Sequence, residues 1–313
     1  MKRVYKQFIK GLLGEKLGNK ISEYRANKLS QGPNVDLKQR ASDIYQNILE
    51  RPMNWDDPKD INEIINWMKF NTDTTKWTEL SDKYLVRKYV EDCGLSDILV
   101  KLYGKWDDAK DIDFETLTYP CMLKVNHGSG GNFSLREKPS KKEQENLIES
   151  LNKLLKTPCG FATAEPHYIP TNTCVIAEEL LTEKNNTFSS SLVDYKVWCF
   201  NGKPHHIWAT YNRAEYHVYV ATYDTNWNHH PECSVFTKHY RNGGDCVSRP
   251  KSLDKMLEAA AILSKGFPQV RIDFYDVDGM LYFSEMTFTS QGGYMEFYTP
   301  EFLLDMGKQV HLK

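Results

Sequence analysis

Four polar side chains on a predicted β-hairpin could together bind a metal ion and stabilise negative charge. Arg271 and Asp273 stand two residues apart in the run VRIDFY, and Glu285 and Thr287 stand two residues apart in the run YFSEMT. Because side chains alternate along a strand, each pair shares one face. Two carboxylates suit Mg²⁺, which usually takes one or two carboxylates with waters and phosphate oxygens. The Arg271 guanidinium would stabilise charge developing on a substrate, and a surface hairpin held by salt bridges is the alternative.

A loop of small residues, 287–293 (TFTSQGG), follows this hairpin directly. Its small side chains leave room for a ligand beside the strand ends. We therefore take Ser290, Gly292 and Gly293 as candidate contacts to a substrate.

A second loop of small residues could fold over phosphate groups. The segment 124–132 (KVNHGSGGN) begins with Lys124 at the end of an apolar strand. Glycines let the backbone approach a ligand and aim N–H groups at anionic oxygens, and an ammonium group neutralises phosphate charge. The segment is neither a P-loop nor a GxGxxG motif that opens a helix. A plain hairpin turn is the alternative interpretation.

The segment 174–181 (CVIAEELL) ends a predicted buried strand in two acids and two leucines. Backbone groups at such a strand end can read a nucleobase while apolar side chains sandwich it. The pattern therefore suits an adenine slot, and a strand that simply runs into solvent would show the same residues.

Asp194 and Lys196 are predicted to share one face at the start of another strand, 194–200 (DYKVWCF). They could face a ligand or form an ordinary cross-strand ion pair.

The polar stretch 205–244 is where we expect substrate specificity to reside, and Arg213 is its candidate substrate contact. The neighbouring His229 and His230 have no carboxylate or cysteine partner at a recognisable spacing, so we do not predict a metal site there.

The elements that would position these residues change character along the chain. Residues 36–118 are predicted to form a mostly helical region, with amphipathic segments at 61–68 and 82–90. From 119 onward short strands appear around the helices 141–155 and 253–263, and Asp278-Gly279 predicts the turn of a hairpin. This pattern indicates an α+β fold, with a lid subdomain at about 119–180 and a C-terminal metal and substrate subdomain at about 181–313.

The composition restricts the possible partners and compartment. Forty Lys and Arg nearly balance 42 Asp and Glu, giving a net charge of −2, so no global basic field favours nucleic acid. Seven cysteines without a CxxC pair argue against a disulfide scaffold and a structural zinc site. No apolar run is long enough to span a membrane, and no signal peptide is recognisable. We expect a cytoplasmic protein.

Residues 1–20, within a predicted N-terminal region of 1–35, read as a basic amphipathic helix: six Lys and Arg stand against one acid, with apolar residues at helical spacing. A helix packed on the body of the protein is the favoured interpretation. Peripheral attachment to the inner face of an anionic membrane, where lipid-linked glycans would be reached, is the alternative.

Taken in order, these motifs resemble the ATP-grasp superfamily. The string from SDKYLVRKYV at 81–90 to EMTF at 285–288 resembles its TupA-like branch. The layout is similar to that of D-alanine:D-alanine ligases, which have a DK pair, a lysine before a glycine-rich lid loop, and RxD followed by ExN. The resemblance covers about residues 50–310 and implies an ATP-grasp fold, in which two α+β subdomains grip ATP.

The resemblance also implies roles for individual residues. It implies that Lys83 and Lys124 contact the ATP phosphates and that a lid loop of Gly128, Ser129, Gly130 and Gly131 covers them. It also implies that Glu178, Glu179, Leu180 and Leu181 form the adenine hinge, and that Asp194 is the acid on the ribose side. It implies magnesium binding by Asp273, Glu285 and Thr287, and catalysis by Arg271 and Lys196. Thr287 stands where the superfamily usually has a metal-binding Asn. The TupA-like branch resembles this sequence in having Thr there. The number of Mg²⁺ ions is therefore left open.

The implied activity is an ATP- and Mg²⁺-dependent ligation of a carboxylate to an amine through an acyl phosphate. The TupA-like branch is associated with cell-surface polymers, which implies capsule or teichuronopeptide-like polysaccharide biosynthesis. The implied substrate is a uronic acid, a sugar-linked acid or an acidic amino acid. No GxSxG elbow or local cysteine signature offers a covalent nucleophile, in agreement with this chemistry.

Two other functions are weighed against the ligase. A glycosyltransferase of the same pathway could use Asp276-Val-Asp278 as a DxD motif, although these residues also fit a hairpin turn. A non-catalytic ATP-grasp binding module would be expected to lose a phosphate lysine or a metal carboxylate. Lys83, Lys124 and both carboxylates are present.

Overall fold

The structure is a computed structural model that describes residues 36–128, 130–184 and 188–312. In these ranges the chain is an α+β protein with two separate sheets. The helices are α1 (Leu37–Leu49), α2 (Ile61–Asn71), α3 (Thr75–Leu80), α4 (Val86–Asp92), α5 (Lys141–Leu155), α6 (Leu253–Leu263) and α7 (Pro300–Gln309). The strands are β1 (Leu102–Trp106), β2 (Cys121–Val125), β3 (Asn132–Leu135), β4 (Val175–Glu179), β5 (Asp194–Phe200), β6 (Lys203–Tyr211), β7 (Val218–Asp224), β8 (Tyr240–Asn242), β9 (Gln269–Val277) and β10 (Met280–Thr287).

The smaller sheet has four strands in the order β1-β4-β2-β3, all antiparallel. Helix α5 covers it, because Leu151 packs into a core that contains Leu123, Val125 and Val175. Small and β-branched side chains suit this half-buried, pleated surface.

The larger sheet has six strands in the order β10-β9-β5-β6-β7-β8, and only the β7–β8 pair is parallel. Its core is separate from that of the smaller sheet and includes Val197, Ile207 and Ile272 together with Ala260 of α6. Helix α6 contacts β5, β6 and β9. The alternate residues of β5 and β9 point to the other face, where the polar side chains predicted from the sequence lie.

Side-chain caps fix where several helices begin. Asp60 accepts a hydrogen bond from the backbone of Glu63 at the start of α2, and the Glu63 side chain accepts from the Asp60 backbone, forming a capping box. Thr299 caps α7 by accepting a hydrogen bond from the Phe302 N–H, with proline at the first helical position.

Several predicted elements are confirmed, including the strand 121–125, the helices 141–155 and 253–263, and the hairpin of β9 and β10. Strand β1 was not predicted, since it lies in the stretch that we expected to be helical. The helical segment expected from residue 82 is wrong in its first turn, because the Asp82 carboxylate binds the backbone N–H groups of Tyr84 and Leu85 and delays α4 to Val86. No helix among the described residues is long and apolar enough to cross a membrane. The amphipathic helix predicted for residues 1–20 lies outside the described residues.

Candidate functional site

The four candidate residues of the hairpin lie together on one face of the larger sheet. Strands β9 and β10 pair so that Arg271 is opposite Thr287 and Asp273 is opposite Glu285. The Arg271 guanidinium binds Asp273 through two hydrogen bonds of 2.7 Å, from Nε to Oδ1 and from Nη2 to Oδ2. The same Nη2 lies 3.1 Å from both Glu285 Oε1 and Thr287 Oγ1. The alternation of side chains, together with a register shift between Phe283 and Glu285 in β10, therefore brings two carboxylates, a hydroxyl and a guanidinium into one cluster.

Lys196 of β5 joins this cluster because it pairs with Asp273 across the β5–β9 ladder. Its Nζ lies 2.5 Å from Asp273 Oδ2 and 2.5 Å from Asp194 Oδ2. Burial raises the pKa of Asp273, but the guanidinium of Arg271 and the ammonium of Lys196 outweigh it and hold the pKa at about 2. Asp273 is thus ionised at neutral pH although its side chain is only 1% exposed.

Asp194 has unused hydrogen-bonding capacity. Its Oδ1 is buried and has no hydrogen-bond partner among the described residues, and burial raises the pKa of the carboxyl group although Lys196 opposes this. Arg213 lies at the rim, with Nη2 3.8 Å from Asp194 Oδ2 and its side chain 57% exposed. A ligand with a hydroxyl or ammonium group could satisfy the free oxygen.

The two lysines expected at the phosphates lie on the side of the smaller sheet. Lys124 Nζ is 2.5 Å from Glu178 Oε2, a contact made possible by the pairing of β2 with β4. Lys83 Nζ donates to the Gly128 carbonyl at 2.8 Å, and the Lys83 backbone N–H donates to Asn126. Burial lowers the pKa of Lys83, while the charge of Glu285 opposes this and that of Lys124 adds to it. Lys83 therefore interacts electrostatically with Lys124 of β2 and with Glu285 of β10.

Sequence reasoning missed Arg87, which also binds the predicted hinge acid. Its Nη1 donates to Glu178 Oε1 at 3.0 Å, so two cations share one buried carboxylate. Glu179 is exposed, and Leu180 and Leu181 are half-buried. Arg87 stands four residues after Lys83 in the motif 81–90, and this spacing was the available signal.

The glycine-rich loop has a backbone that favours glycine. Gly128, Gly130 and Gly131 adopt φ angles of 65°, 88° and 69°, in the left-handed region. A Cβ atom on Gly131 would lie 2.7 Å from Leu154 Cδ1. Ser129 lies outside the described residues.

The small-residue loop contacts the hairpin cluster directly. Ser290 Oγ accepts a hydrogen bond of 2.7 Å from Arg271 Nη1. Gly292 and Gly293 are buried, and their carbonyl groups accept hydrogen bonds from Lys69 and Asn66 of helix α2. Sequence reasoning missed these two residues, because the helix Ile61–Asn71 (INEIINWMKFN) carries other polar residues that do not distinguish them.

The DxD-like pair serves the hairpin turn. Asp276 Oδ2 accepts hydrogen bonds from the backbone and hydroxyl of Ser252, and Oδ1 accepts from the backbone of Gly279. Asp278 is exposed and lies in the left-handed region with φ 55°. Both oxygens of Asp276 are thus occupied by structural contacts.

Comparisons with known proteins give one family and several distant structures. The family model described as "TupA-like ATPgrasp" matches residues 63–311, which include both sheets. No curated protein matches the sequence at a significant level. The D-alanine–D-alanine ligase of Bacillus anthracis is similar at a TM-score of 0.46 and 15% identity, over 79% of this chain and 69% of that one. The corresponding ligase of Helicobacter pylori gives 0.41 and 12%, over 81% and 70%. Phosphoribosylamine–glycine ligase of Thermotoga maritima gives 0.41 and 12%, over 69% and 49%.

Proposed function

The chain belongs to the TupA-like ATP-grasp family, and we propose that it is an ATP- and Mg²⁺-dependent ligase that joins a carboxylate to an amine. The observation that carries the proposal is the cluster of Arg271, Asp273, Glu285 and Thr287, with Lys83 within electrostatic reach of Glu285. A non-catalytic binding module or a transferase does not require a guanidinium group bound to two carboxylates that could hold a metal ion, together with lysines that could bind phosphate.

The side chains of the cluster suit the binding of Mg²⁺ and of a nucleoside triphosphate. Asp273 and Glu285 supply the hard carboxylate oxygens that Mg²⁺ prefers, and the Glu285 side chain is 37% exposed and so open to an incoming ion. Lys83 and Lys124 supply positive charge for phosphates. The free Oδ1 of Asp194 suits a ribose hydroxyl, as the family layout implies. When bound, magnesium neutralises phosphate oxygens and ATP supplies the phosphoryl group that activates the acid.

The side chains of this protein would then act by positioning and by charge. The substrate carboxylate attacks the γ-phosphorus of ATP, which releases ADP and leaves an acyl phosphate; the amine attacks that carbonyl carbon, phosphate leaves, and the amine loses a proton. Arg271, oriented by Asp273 and Ser290, stabilises the oxyanion of the tetrahedral intermediate. Lys196 supplies further positive charge at the same place.

The substrates follow from the family and from the rim of the site. We propose a uronic acid, a sugar-linked acid or an acidic amino acid as the acid, in the biosynthesis of a capsule or related cell-surface polysaccharide. Arg213 is 57% exposed, with Nη2 3.4 Å from Thr210 Oγ1 and 3.8 Å from Asp194 Oδ2, and is a suitable contact for a second anionic group. Work on a lipid-linked glycan would place the protein in the cytoplasm at the inner face of the membrane.

The test is turnover of ATP with a panel of acids. Purified protein is incubated with Mg²⁺, ATP, uronic acids, UDP-uronic acids or acidic amino acids, and candidate amines, while ADP, AMP and phosphate are followed separately. We expect ADP and phosphate release that needs one acid and is lost in Asp273→Asn and Glu285→Gln. Release of AMP and pyrophosphate would exclude the acyl-phosphate mechanism.

Asp278→Asn is the matched control, because it makes the same chemical change in the same hairpin at an exposed turn position that asparagine tolerates. It should leave turnover unchanged. Absence of ATP turnover in the wild-type protein would favour the DxD transferase or the non-catalytic binding module instead. Thermal denaturation of each variant separates loss of function from unfolding, since breaking a buried ion pair is itself destabilising.

A further inference from the structure

Helix α2 presents a buried polar stripe to the loop that follows the hairpin. Asn62, Asn66 and Lys69 lie four and three residues apart, so they share one helix face, and they are 0%, 0% and 3% exposed. Asn62 Nδ2 donates to the Met295 carbonyl at 2.9 Å and its Oδ1 accepts from the Met295 N–H at 3.0 Å. Asn66 Nδ2 donates to the Gly293 carbonyl at 2.7 Å, and Lys69 Nζ donates to the Gly292 carbonyl at 2.9 Å.

This buried polar stripe would destabilise the fold if it were unpaired, because burying an amide or an ammonium group is unfavourable unless the group is hydrogen-bonded. Burial lowers the pKa of Lys69 to about 7, although the nearby Glu165 carboxylate opposes this shift. Leucine or alanine would pack the helix at lower cost. The polar side chains are therefore explained by what they bind.

What they bind is a turn whose own backbone hydrogen bonds, from Gly292 N–H to Thr289 and from Tyr294 N–H to Gln291, do not use the carbonyl groups of Gly292 and Gly293. Gln291, Gly292 and Gly293 have φ angles of 47°, 67° and 79°, three successive left-handed residues, and the first is not glycine. A non-glycine residue there costs roughly 1–2 kcal/mol. Buried carbonyl groups in such a turn need donors from elsewhere, and α2 supplies them.

The same loop holds the proposed catalytic arginine. Ser290 Oγ accepts from Arg271 Nη1, and Thr289 Oγ1 donates to Glu165, which faces Lys69. The loop is thus fixed on one side by the helix and on the other by the segment before β4. Any shift of the backbone at 290–293 moves the hydroxyl that orients the guanidinium.

We propose that Asn66 and Lys69 are positioning residues: they hold the backbone of residues 290–295 so that Ser290 keeps Arg271 aligned with the substrate carbonyl. This rests on the proposed ligase function. An alternative in which the stripe only docks the helix predicts a loss of stability without a specific effect on the use of the acid.

The test uses Lys69→Met, which keeps the length of the side chain and removes its donor, with Lys69→Gln as the variant that retains a donor. Lys76→Met on the next helix, 61% exposed, is the matched control. Hydrogen–deuterium exchange of a peptide spanning 289–297 in the free protein reports the loop. We expect exchange about tenfold faster or more in Lys69→Met, with partial restoration in Lys69→Gln and no change in the control.

Steady-state kinetics then separate positioning from docking. With the acid identified from the panel, Lys69→Met should lower kcat/KM for the acid about 10–100-fold and leave KM for ATP within about twofold, because the residues of the phosphate side lie elsewhere. In a double-mutant cycle with Ser290→Ala the two losses should be far from additive.

Unchanged hydrogen–deuterium exchange of the loop in Lys69→Met would overturn the proposal. Faster exchange would also overturn it if the losses in kcat/KM of Lys69→Met and Ser290→Ala were additive, or if kcat/KM for ATP fell as much as kcat/KM for the acid. If the wild-type protein consumes no ATP with any acid, the proposed ligase function is wrong and the kinetic comparison no longer applies. The exchange measurement still decides whether Lys69 holds the loop.

Discussion

Replacing His167 by phenylalanine is expected to make the fold less sensitive to acid. The imidazole is 1% exposed, packs edge-on to Trp77 and beside Tyr168, and has no hydrogen-bond partner for either ring nitrogen among the described residues. Burial, with the nearby charge of Lys69 adding to it, lowers the pKa of His167 to about 3. The ring is therefore neutral in the folded protein throughout the neutral and mildly acidic range.

The sign and size of the effect follow from proton linkage. Below the ordinary pKa of about 6.5 the unfolded chain takes up a proton that the folded chain cannot, so stability is lost as the pH falls from about 6.5 towards 3. At pH 5 the loss amounts to about 2 kcal/mol, and at pH 8 it is near zero. For a chain of this size ~2 kcal/mol corresponds to about 3 °C in Tm.

The assay is thermal or urea denaturation of wild type and His167→Phe at pH 5 and pH 8. Only the difference between the two pH values is used, because any cost of fitting the larger ring is the same at both. We expect the variant to lose about 2 kcal/mol less than the wild type on acidification. His239→Gln, at an exposed position, is the control for removing an imidazole. Equal losses in wild type and His167→Phe would refute the reasoning.

Three further predictions concern other parts of the molecule. Asp60→Ala removes both the cap of α2 and an ion-pair partner, and should lower the free energy of unfolding by about 1–3 kcal/mol in urea denaturation. Gly243→Ala places a Cβ atom 1.4 Å from Tyr211 Oη and should lower the free energy of unfolding by about 1–3 kcal/mol, whereas an unchanged Tm would show that Tyr211 moves aside without loss of packing. Thr287→Asn offers an amide oxygen in place of a hydroxyl and should lower the Mg²⁺ concentration for half-maximal ADP release severalfold, whereas a higher requirement would argue against a metal-ligand role.

The arrangement of the hairpin cluster could be predicted only in part. Side-chain alternation puts Arg271 with Asp273, and Glu285 with Thr287, on one face of each strand. The register set by the Asp278-Gly279 turn alone would place Asp273 opposite Ser284, and the register shift between Phe283 and Glu285 brings Glu285 opposite Asp273 instead. The ion pair between Lys196 and Asp273 could be predicted only in part. The sequence placed Lys196 on the same face as Asp194, but only the β5–β9 pairing shows which carboxylate it meets.

The rest depends on contacts between distant parts of the chain. No local pattern indicates that Lys69 and Asn66 meet a backbone more than 220 residues later. Glu165 stands in an irregular segment, and its contact with Thr289 joins residues that are 124 positions apart in the chain. Strand β1 was mistaken for helix because its five residues (LYGKW) show no clear alternation of apolar and polar side chains.

Strand β1 also determines where the protein can be shortened. It precedes the predicted start of the lid at residue 119, yet it pairs with β4 and makes β4 an interior strand of the smaller sheet. A fragment that begins at 119 would keep β2, β3 and β4 but leave one edge of β4 with unpaired N–H and C=O groups along the apolar residues Val175, Ile176 and Ala177. Such an edge is a template for pairing with another molecule. We therefore expect a fragment that begins at 119 to self-associate more strongly than one that also keeps β1.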